Sequence, residues 1–298
     1  MKIFACTRCR NTVFFENVQC LHCQSALGYH PDRGMLALPQ ADLHPCRNQT
    51  EFNVCNWLTR QPGQLCRACR LNRTVPDDTS RWYRLEAAKK RLIYSLLQLG
   101  LSLEGLKFDF LLPAEQPVLT GYANGLITIN ANEADDPARE QMRVDMNEPY
   151  RTLVGHFRHE SGHHYWHVLV RDLARFRQLF GDEREDYQAA LQRHYDRGAP
   201  DDWLERGHIS AYASMHPSED WAETWAHYLH MRDTLETARE FGLGRPGLDS
   251  FEELAQDWGR LTFALNSINR SMGISDLYPF VLSPKVLEKL AWIHHLVL

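Results

Sequence analysis

The sequence of 298 residues contains no apolar run of about 20 residues, the length that an α-helix needs to cross a bilayer. Residues 1–10 include charged and polar side chains and lack the apolar stretch that marks a secretory signal peptide. These absences argue against a membrane-spanning or secreted protein. We therefore expect a protein of the cytoplasm with no membrane partner.

Cysteine is absent from the whole chain after Cys69, and all eight cysteines lie at or before that residue. Four of them form two Cys-x-x-Cys pairs with ten residues between the pairs, a spacing that is typical of zinc ribbons. Thiolates at this spacing can bind one Zn²⁺ tetrahedrally. The first predicted zinc site consists of Cys6, Cys9, Cys20 and Cys23.

The remaining cysteines predict a second zinc site, although only Cys66 and Cys69 have the Cys-x-x-Cys spacing. The alternative for both tetrads is a disulfide framework, which requires an oxidising compartment. Because nothing in the sequence indicates such a compartment, we favour thiolates on zinc. The second predicted site consists of Cys46, Cys55, Cys66 and Cys69.

The cysteine-rich segment 1–75 is basic, with nine Lys and Arg against four Asp and Glu, whereas the whole chain has a formal charge of −5. A basic zinc ribbon is typical of proteins that bind nucleic acid. However, each zinc with four thiolates carries about −2, so two such centres reduce the formal charge of +5 to about +1. Nucleic-acid binding therefore has little support. For the aromatic residues of this segment we favour a small core over base stacking. They are Phe4, Phe14, Phe15 and Trp57.

The run His159-Glu-Ser-Gly-His163 has the form HExxH. Two histidines four residues apart lie on one face of a helix, so that both imidazoles can bind one Zn²⁺. Glu160 projects near the open position of the metal, where it can take a proton from a metal-activated water and deliver it to a leaving amine. The motif is typical of zinc-dependent peptide hydrolysis, with Glu160 as general base.

The motif lies in segment 150–170, which is rich in histidine and contains glycine as its only helix breaker. A solvated helix is one alternative interpretation. The pair His163 and His167 is another possible ligand pair, although no Glu directly follows His163. Because Gly162 weakens a helix, we expect it to face a neighbouring backbone or a substrate.

Segment 212–230 is the best source of a third ligand. Pro217 suits a first helical turn, and Glu219 and Asp220 suit the positive start of a helix. Four side chains would then share one face: Glu219, Glu223, His227 and His230. This pattern allows one carboxylate on zinc and another that holds a ligating histidine. The alternative is an amphipathic helix with a charged outer face.

An HExxH helix followed some tens of residues later by Glu-x-x-Ala-Glu-x-Trp resembles the gluzincin-type peptidases related to anthrax lethal factor and the Mlc titration factor. By this resemblance, Glu219 is the third zinc ligand and Glu223 supports the site. Tyr212, seven residues before Glu219, matches the tyrosine that stabilises the oxyanion.

Nearly the whole chain is similar to a bacterial family of zinc-binding metallopeptidases with an N-terminal zinc ribbon. The resemblance implies an α+β fold, in which a mostly helical, zincin-like catalytic domain with a small sheet follows a zinc-ribbon module. We expect the module at 1–75 and the catalytic domain at 76–298. The expected cofactors are one catalytic and two structural Zn²⁺, and the expected substrate is a peptide or protein.

The remaining patterns predict further elements. The predicted helices cover 81–99 with Ser80 as cap, 183–193, 250–265 and the segment after Ser283. The predicted strands cover 107–112, 118–122 and 125–130. Asn124-Gly125 predicts a hairpin. By resemblance, 126–130 would be an edge strand that pairs with an extended substrate, and an ordinary core hairpin is an equal alternative. We expect Trp258, Phe263 and Trp292 in the core, and His294 and His295 at the surface.

Three functions follow from these patterns. The favoured one is an active zinc peptidase. The second is an adaptor whose ribbons bind protein or nucleic acid beside a weakly active or inactive peptidase domain. The third is a peptidase brought by its ribbons to proteins on nucleic acid. The sequence reveals neither the substrate nor the oligomeric state.

Overall fold

A computed structural model describes residues 2–114, 117–145, 148–245, 247 and 250–298. Contacts divide the chain into two compact units, Met1–Phe157 and Arg158–Leu298. The structure is mostly helical with small sheets and has a cysteine-rich start, so the predicted α+β class is confirmed. The predicted boundary between residues 75 and 76 stays a prediction. In the described ranges, no helix combines the length and apolar character needed to cross a membrane.

The cysteine-rich start consists of short elements, as expected where metal replaces a large core. Three two-stranded antiparallel sheets pair β1 (Phe4–Ala5) with β2 (Thr12–Val13), β3 (Leu27–His30) with β4 (Gly34–Ala37), and β5 (His44–Pro45) with β6 (Leu58–Thr59). Helix α1 (Arg47–Phe52) lies between β5 and β6 in the sequence.

An aromatic cluster stabilises this part of the first unit. Phe15 packs edge-on against Tyr29 and Trp57, with ring centroids 4.7 and 6.3 Å apart. Phe15 and Trp57 are buried, and Phe4 is half-buried against Tyr29, so the prediction of a small core is confirmed for these three. It is wrong for Phe14, whose side chain is exposed.

A four-stranded sheet follows, in the order β7 (Asn72–Thr74), β8 (Lys107–Leu111), β10 (Leu126–Asn130), β9 (Gly121–Ala123). The predicted hairpin is confirmed, because Asn124 and Gly125 have φ of 49° and 85° and form a two-residue turn. That turn pairs β9 with β10 on one side, while β8 pairs with β10 along its whole length on the other. The predicted substrate-binding edge is therefore wrong, since β10 is an inner strand.

Helix α2 (Thr79–Gln98) precedes the sheet strand β8. Its cap is Asp78, whose carboxylate accepts hydrogen bonds from the backbone N–H of Ser80 and Arg81, so the prediction of Ser80 as cap is wrong. Four apolar side chains spaced three or four residues apart on this helix are buried: Leu85, Ala88, Leu92 and Leu96. Helix α3 (Asp136–Asp145) also belongs to the first unit.

The second unit is helical. Its elements are the greater part of α4 (Leu153–Leu169), α5 (Leu173–Phe180), α6 (Tyr187–Arg197), α7 (Trp203–Arg206), α8 (Pro217–Glu240), α9 (Phe251–Ser271) and α10 (Pro284–Val297). Ser250 caps α9 and Ser283 caps α10, and the prediction that a helix begins after Ser283 is confirmed. The sequence did not predict α5. Phe263 is exposed, and His294 is buried against the hydroxyl of Tyr228, so both placements were wrong.

Helices α4 and α8 pack very closely at Gly162. A Cβ added to Gly162 would lie 2.9 Å from the Cα of Ala222, which is nearer than real side chains allow. Trp221 donates its indole N–H to the carbonyl of Gly162 at 2.8 Å, and Trp225 donates to the hydroxyl of Ser161 at 3.0 Å. The prediction that Gly162 faces a neighbouring backbone is confirmed. Glycine lowers the stability of a helix, but only a residue without a side chain permits this close contact.

We predict that Gly162→Ala destabilises the protein. The added methyl group must displace backbone, which costs about 1–3 kcal/mol and outweighs the gain of up to about 1 kcal/mol in helix propensity. The measurement is the urea midpoint of unfolding. Gly259→Ala within α9 is the matched control, because its Cβ would meet no atom within 4 Å and it should be neutral or stabilising. Equal stabilisation by both substitutions would contradict the packing argument.

Candidate metal centres

Three groups of side chains with metal-binding atoms form within the described residues. One of them joins α4 and α8. The Nε2 atom of His159 lies 3.0 Å from Glu219 Oε2, and the Nε2 atom of His163 lies 3.4 Å from Glu219 Oε1. Ligands at about 2.0–2.1 Å around a tetrahedral Zn²⁺ are about 3.3 Å from one another. These two imidazoles and one carboxylate therefore fit a zinc ion.

His159 is held from behind by a carboxylate. Its Nδ1 donates to Glu223 Oε1 at 2.7 Å, since an ionised carboxylate can only accept, and Ser210 donates its hydroxyl to Glu223 Oε2 at 2.7 Å. This hydrogen bond fixes the tautomer, so that Nε2 faces Glu219. The sequence did not indicate Ser210, because a serine in a loop carries no motif.

The charges at the site favour a cation. Burial opposes a positive charge on His159, but hydrogen bonds to Glu219 and Glu223 and their charges outweigh it and raise its pKa well above the ordinary value. Burial opposes the charge of Glu223 too, yet its hydrogen bond from His159 lowers its pKa to about 2. For Glu219 the charge of His163 has the same effect and holds the pKa low.

Two tyrosines reach the same carboxylate region. Tyr187 donates its hydroxyl to Glu219 Oε1 at 3.1 Å. The ring of Tyr212 lies 6.0 Å from that of His159, measured between centroids. Burial raises the pKa of both phenols, and the charges of Glu219 and Glu160 raise it further. Tyr187 was not predicted, because no motif marks it.

Glu219 is placed by the start of α8. The side chain of His216 caps this helix by accepting from the N–H of Ser218 at 3.1 Å. Asp220, the next residue after Glu219, is fully buried and binds Lys289 Nζ at 2.6 Å. This pairing fixes the first turn of α8 and with it the direction of Glu219.

The other histidines of the two segments lie elsewhere. His167 is exposed and lies outside the group formed by His159, His163 and Glu219. His227 binds the hydroxyl of Tyr278 at 2.7 Å. Of the four side chains predicted to share one face of α8, Glu219 and Glu223 therefore belong to the metal-binding region, whereas His227 makes a structural contact.

The first cysteine tetrad is assembled as predicted. Cys6 Sγ lies 3.7 Å from Cys23 Sγ, and Cys9 Sγ lies 3.6 Å from Cys20 Sγ. A disulfide requires about 2.0 Å, whereas thiolates at about 2.3 Å around a tetrahedral zinc are about 3.8 Å apart. These distances fit zinc rather than a disulfide.

The second tetrad is buried and has the same spacing, with Cys55 Sγ 3.8 Å from Cys66 Sγ. Side chains of helix α2 lie beside this tetrad. Cys69 lies 3.4 Å from Glu86 Oε1, and Lys90 donates to the carbonyl of Val54 at 3.3 Å. Burial would lower the pKa of Lys90, but the neighbouring thiolates and Glu86 raise it. This positive charge suits a centre with a net negative charge.

The fold and these sites define a helical α+β protein with two cysteine tetrads and a histidine–carboxylate site on paired helices. A family model described as "Putative zinc-binding metallo-peptidase" matches residues 78–296, and one described as a zinc-ribbon domain matches residues 3–80. The chain belongs to this family of zinc-binding metallopeptidases. Neither description names a nucleic acid.

The relatives carry no further functional information. Uncharacterised proteins of Mycobacterium bovis and of two Mycobacterium tuberculosis strains are each 45% identical to this chain. Each alignment covers 100% of this chain and 95% of the relative. No solved structure matches the chain.

We predict three zinc ions per chain, falling to two in His163→Ala, because the substitution removes one donor of a single site. The measurement is elemental analysis of protein purified without added metal. Two zinc ions in both proteins, with no third taken up from added Zn²⁺, would show that the histidine site holds no metal. A fall from two to one would instead mean that the second tetrad is not a zinc site.

Proposed function

We propose that this protein is a zinc-dependent peptidase of the gluzincin type. The observation that carries the proposal is the carboxylate of Glu219, which faces the Nε2 atoms of both histidines of an HExxH helix at 3.0 and 3.4 Å. Membership of a zinc-binding metallopeptidase family supports it.

His159, His163 and Glu219 would hold the catalytic zinc. A zinc ion with three protein ligands acts as a Lewis acid and lowers the pKa of a water molecule to about 7. Glu223 and Ser210 support the site from behind His159, because they fix the orientation of its ring. This arrangement supports the assignment of Glu219 as the ligand and Glu223 as the supporting residue.

Glu160 is the general base. Its position next to His159 in the motif would bring its carboxylate beside the water, and Glu160 is not part of the group of metal-binding side chains. It takes one proton from the water as the peptide carbonyl is attacked and later gives a proton to the leaving amine. The same carboxylate therefore serves as base and then as acid.

Tyr212 stabilises the oxyanion. A phenol is protonated at neutral pH, with an ordinary pKa of about 10, so its hydroxyl can donate to the oxygen that becomes negative. Its ring lies 6.0 Å from that of His159, measured between centroids. Donation by Tyr212 would reduce the barrier only when charge develops on the substrate.

The two cysteine tetrads would hold structural zinc in the module at 1–75, which precedes the catalytic domain at 76–298. The substrate class implied by the family is peptide or protein. The alternative is an adaptor whose ribbons bind protein or nucleic acid. A histidine site that takes up no zinc would favour this alternative.

We predict that Glu160→Gln keeps its zinc but loses about 10²–10⁴-fold in turnover, because the amide cannot take the proton. The measurement is cleavage of a peptide library, with products identified by mass spectrometry, beside zinc analysis of the same sample. Glu104→Gln, at an exposed carboxylate, is the control and should behave as the wild type. Full activity in Glu160→Gln would refute the mechanism.

We also predict that Glu219→Ala removes the third zinc ion, whereas Glu223→Ala only weakens its binding by about 10–100-fold. The reason is that Glu219 faces both imidazoles, while Glu223 contacts the far side of one. Zinc competition with a chromophoric chelator measures both affinities. The opposite order would make Glu223 the ligand.

A further inference from the structure

We propose that Tyr187 is a positioning residue for the metal site, because its hydroxyl holds one oxygen of Glu219. This inference rests on the proposed function, because it assigns a role toward the zinc ligand Glu219.

The two oxygens of Glu219 have different partners. Oε2 lies 3.0 Å from His159 Nε2, and Oε1 lies 3.1 Å from the hydroxyl of Tyr187. A carboxylate can only accept, so Tyr187 donates its single proton to Oε1. Oε1 also lies 3.4 Å from His163 Nε2, so the phenol holds the oxygen on the His163 side and leaves Oε2 on the His159 side.

The phenol is fixed by elements that also fix Glu219. Asp186 caps α6 by accepting from the N–H of Ala189 at 3.0 Å, which places Tyr187 in the first turn. The ring of Tyr187 packs edge-on against that of His216, 5.3 Å away between centroids. His216 caps α8, the helix that carries Glu219. Tyr187 and Glu219 are thus oriented by one shared histidine.

The hydrogen bond from Tyr187 fixes which oxygen of Glu219 faces each imidazole. Without Tyr187, Glu219 could turn either oxygen toward His159 or His163.

The test is a Co²⁺ titration of the full chain, after a mild chelator has removed the metal of the histidine site and left the cysteine sites loaded. In Tyr187→Phe we expect about 10–100-fold weaker Co²⁺ binding and a changed visible spectrum, because the ligand carboxylate is no longer held. A purely structural role would leave the Co²⁺ spectrum unchanged. Tyr195→Phe, on the same helix and 68% exposed, is the matched control and should match the wild type.

A second variant separates the two phenols. Tyr212→Phe leaves the hydrogen bond between Tyr187 and Glu219 in place, so Co²⁺ affinity should be kept while peptide cleavage falls. Thermal melting checks the fold of each variant, and we expect little change for Tyr187→Phe because it loses one oxygen atom. Wild-type affinity and spectrum in Tyr187→Phe would overturn this inference alone. A wild type that takes up no third metal would overturn the proposed function as well.

Discussion

The close approach of α4 and α8 at Gly162 is the contact on which the histidine–carboxylate site depends. His159 and His163 lie on one helix, and the carboxylates of Glu219 and Glu223 come from the other. A side chain at position 162 would keep the backbones apart, because it would meet Ala222 at 2.9 Å. Two indole N–H groups, from Trp221 and Trp225, hydrogen-bond across the same contact and fix its register.

Buried charge gives the second constraint. Carboxylates cost free energy when they are buried unless positive groups or metals compensate them. Glu219 is compensated by the Nε2 atoms of His159 and His163, and Glu223 is compensated by the Nδ1 atom of His159. Around the second tetrad, Lys89 and Lys90 of α2 supply the compensation. Helix α2 is thus part of the surroundings of that tetrad.

The sequence supplied the motifs and the local structure. HExxH, the cysteine spacing, the hairpin at Asn124-Gly125 and the helix start after Ser283 depend on neighbours within a few residues, so spacing and turn chemistry were enough to predict them. Helix bounds were less accurate. Helix α5 was missed, and Phe263 was placed in the core although it is exposed, because burial depends on distant partners.

The sequence by itself determined which side chains can bind metal, since histidine and cysteine spacing follows from helix and turn geometry. Only the tertiary structure decided that Glu219 faces both imidazoles while Glu223 holds His159 from behind, and that Tyr187 and Ser210 join the site. It also placed β10 inside the sheet. These features join residues far apart in the chain, whose proximity depends on packing and on strand pairing that no local pattern records.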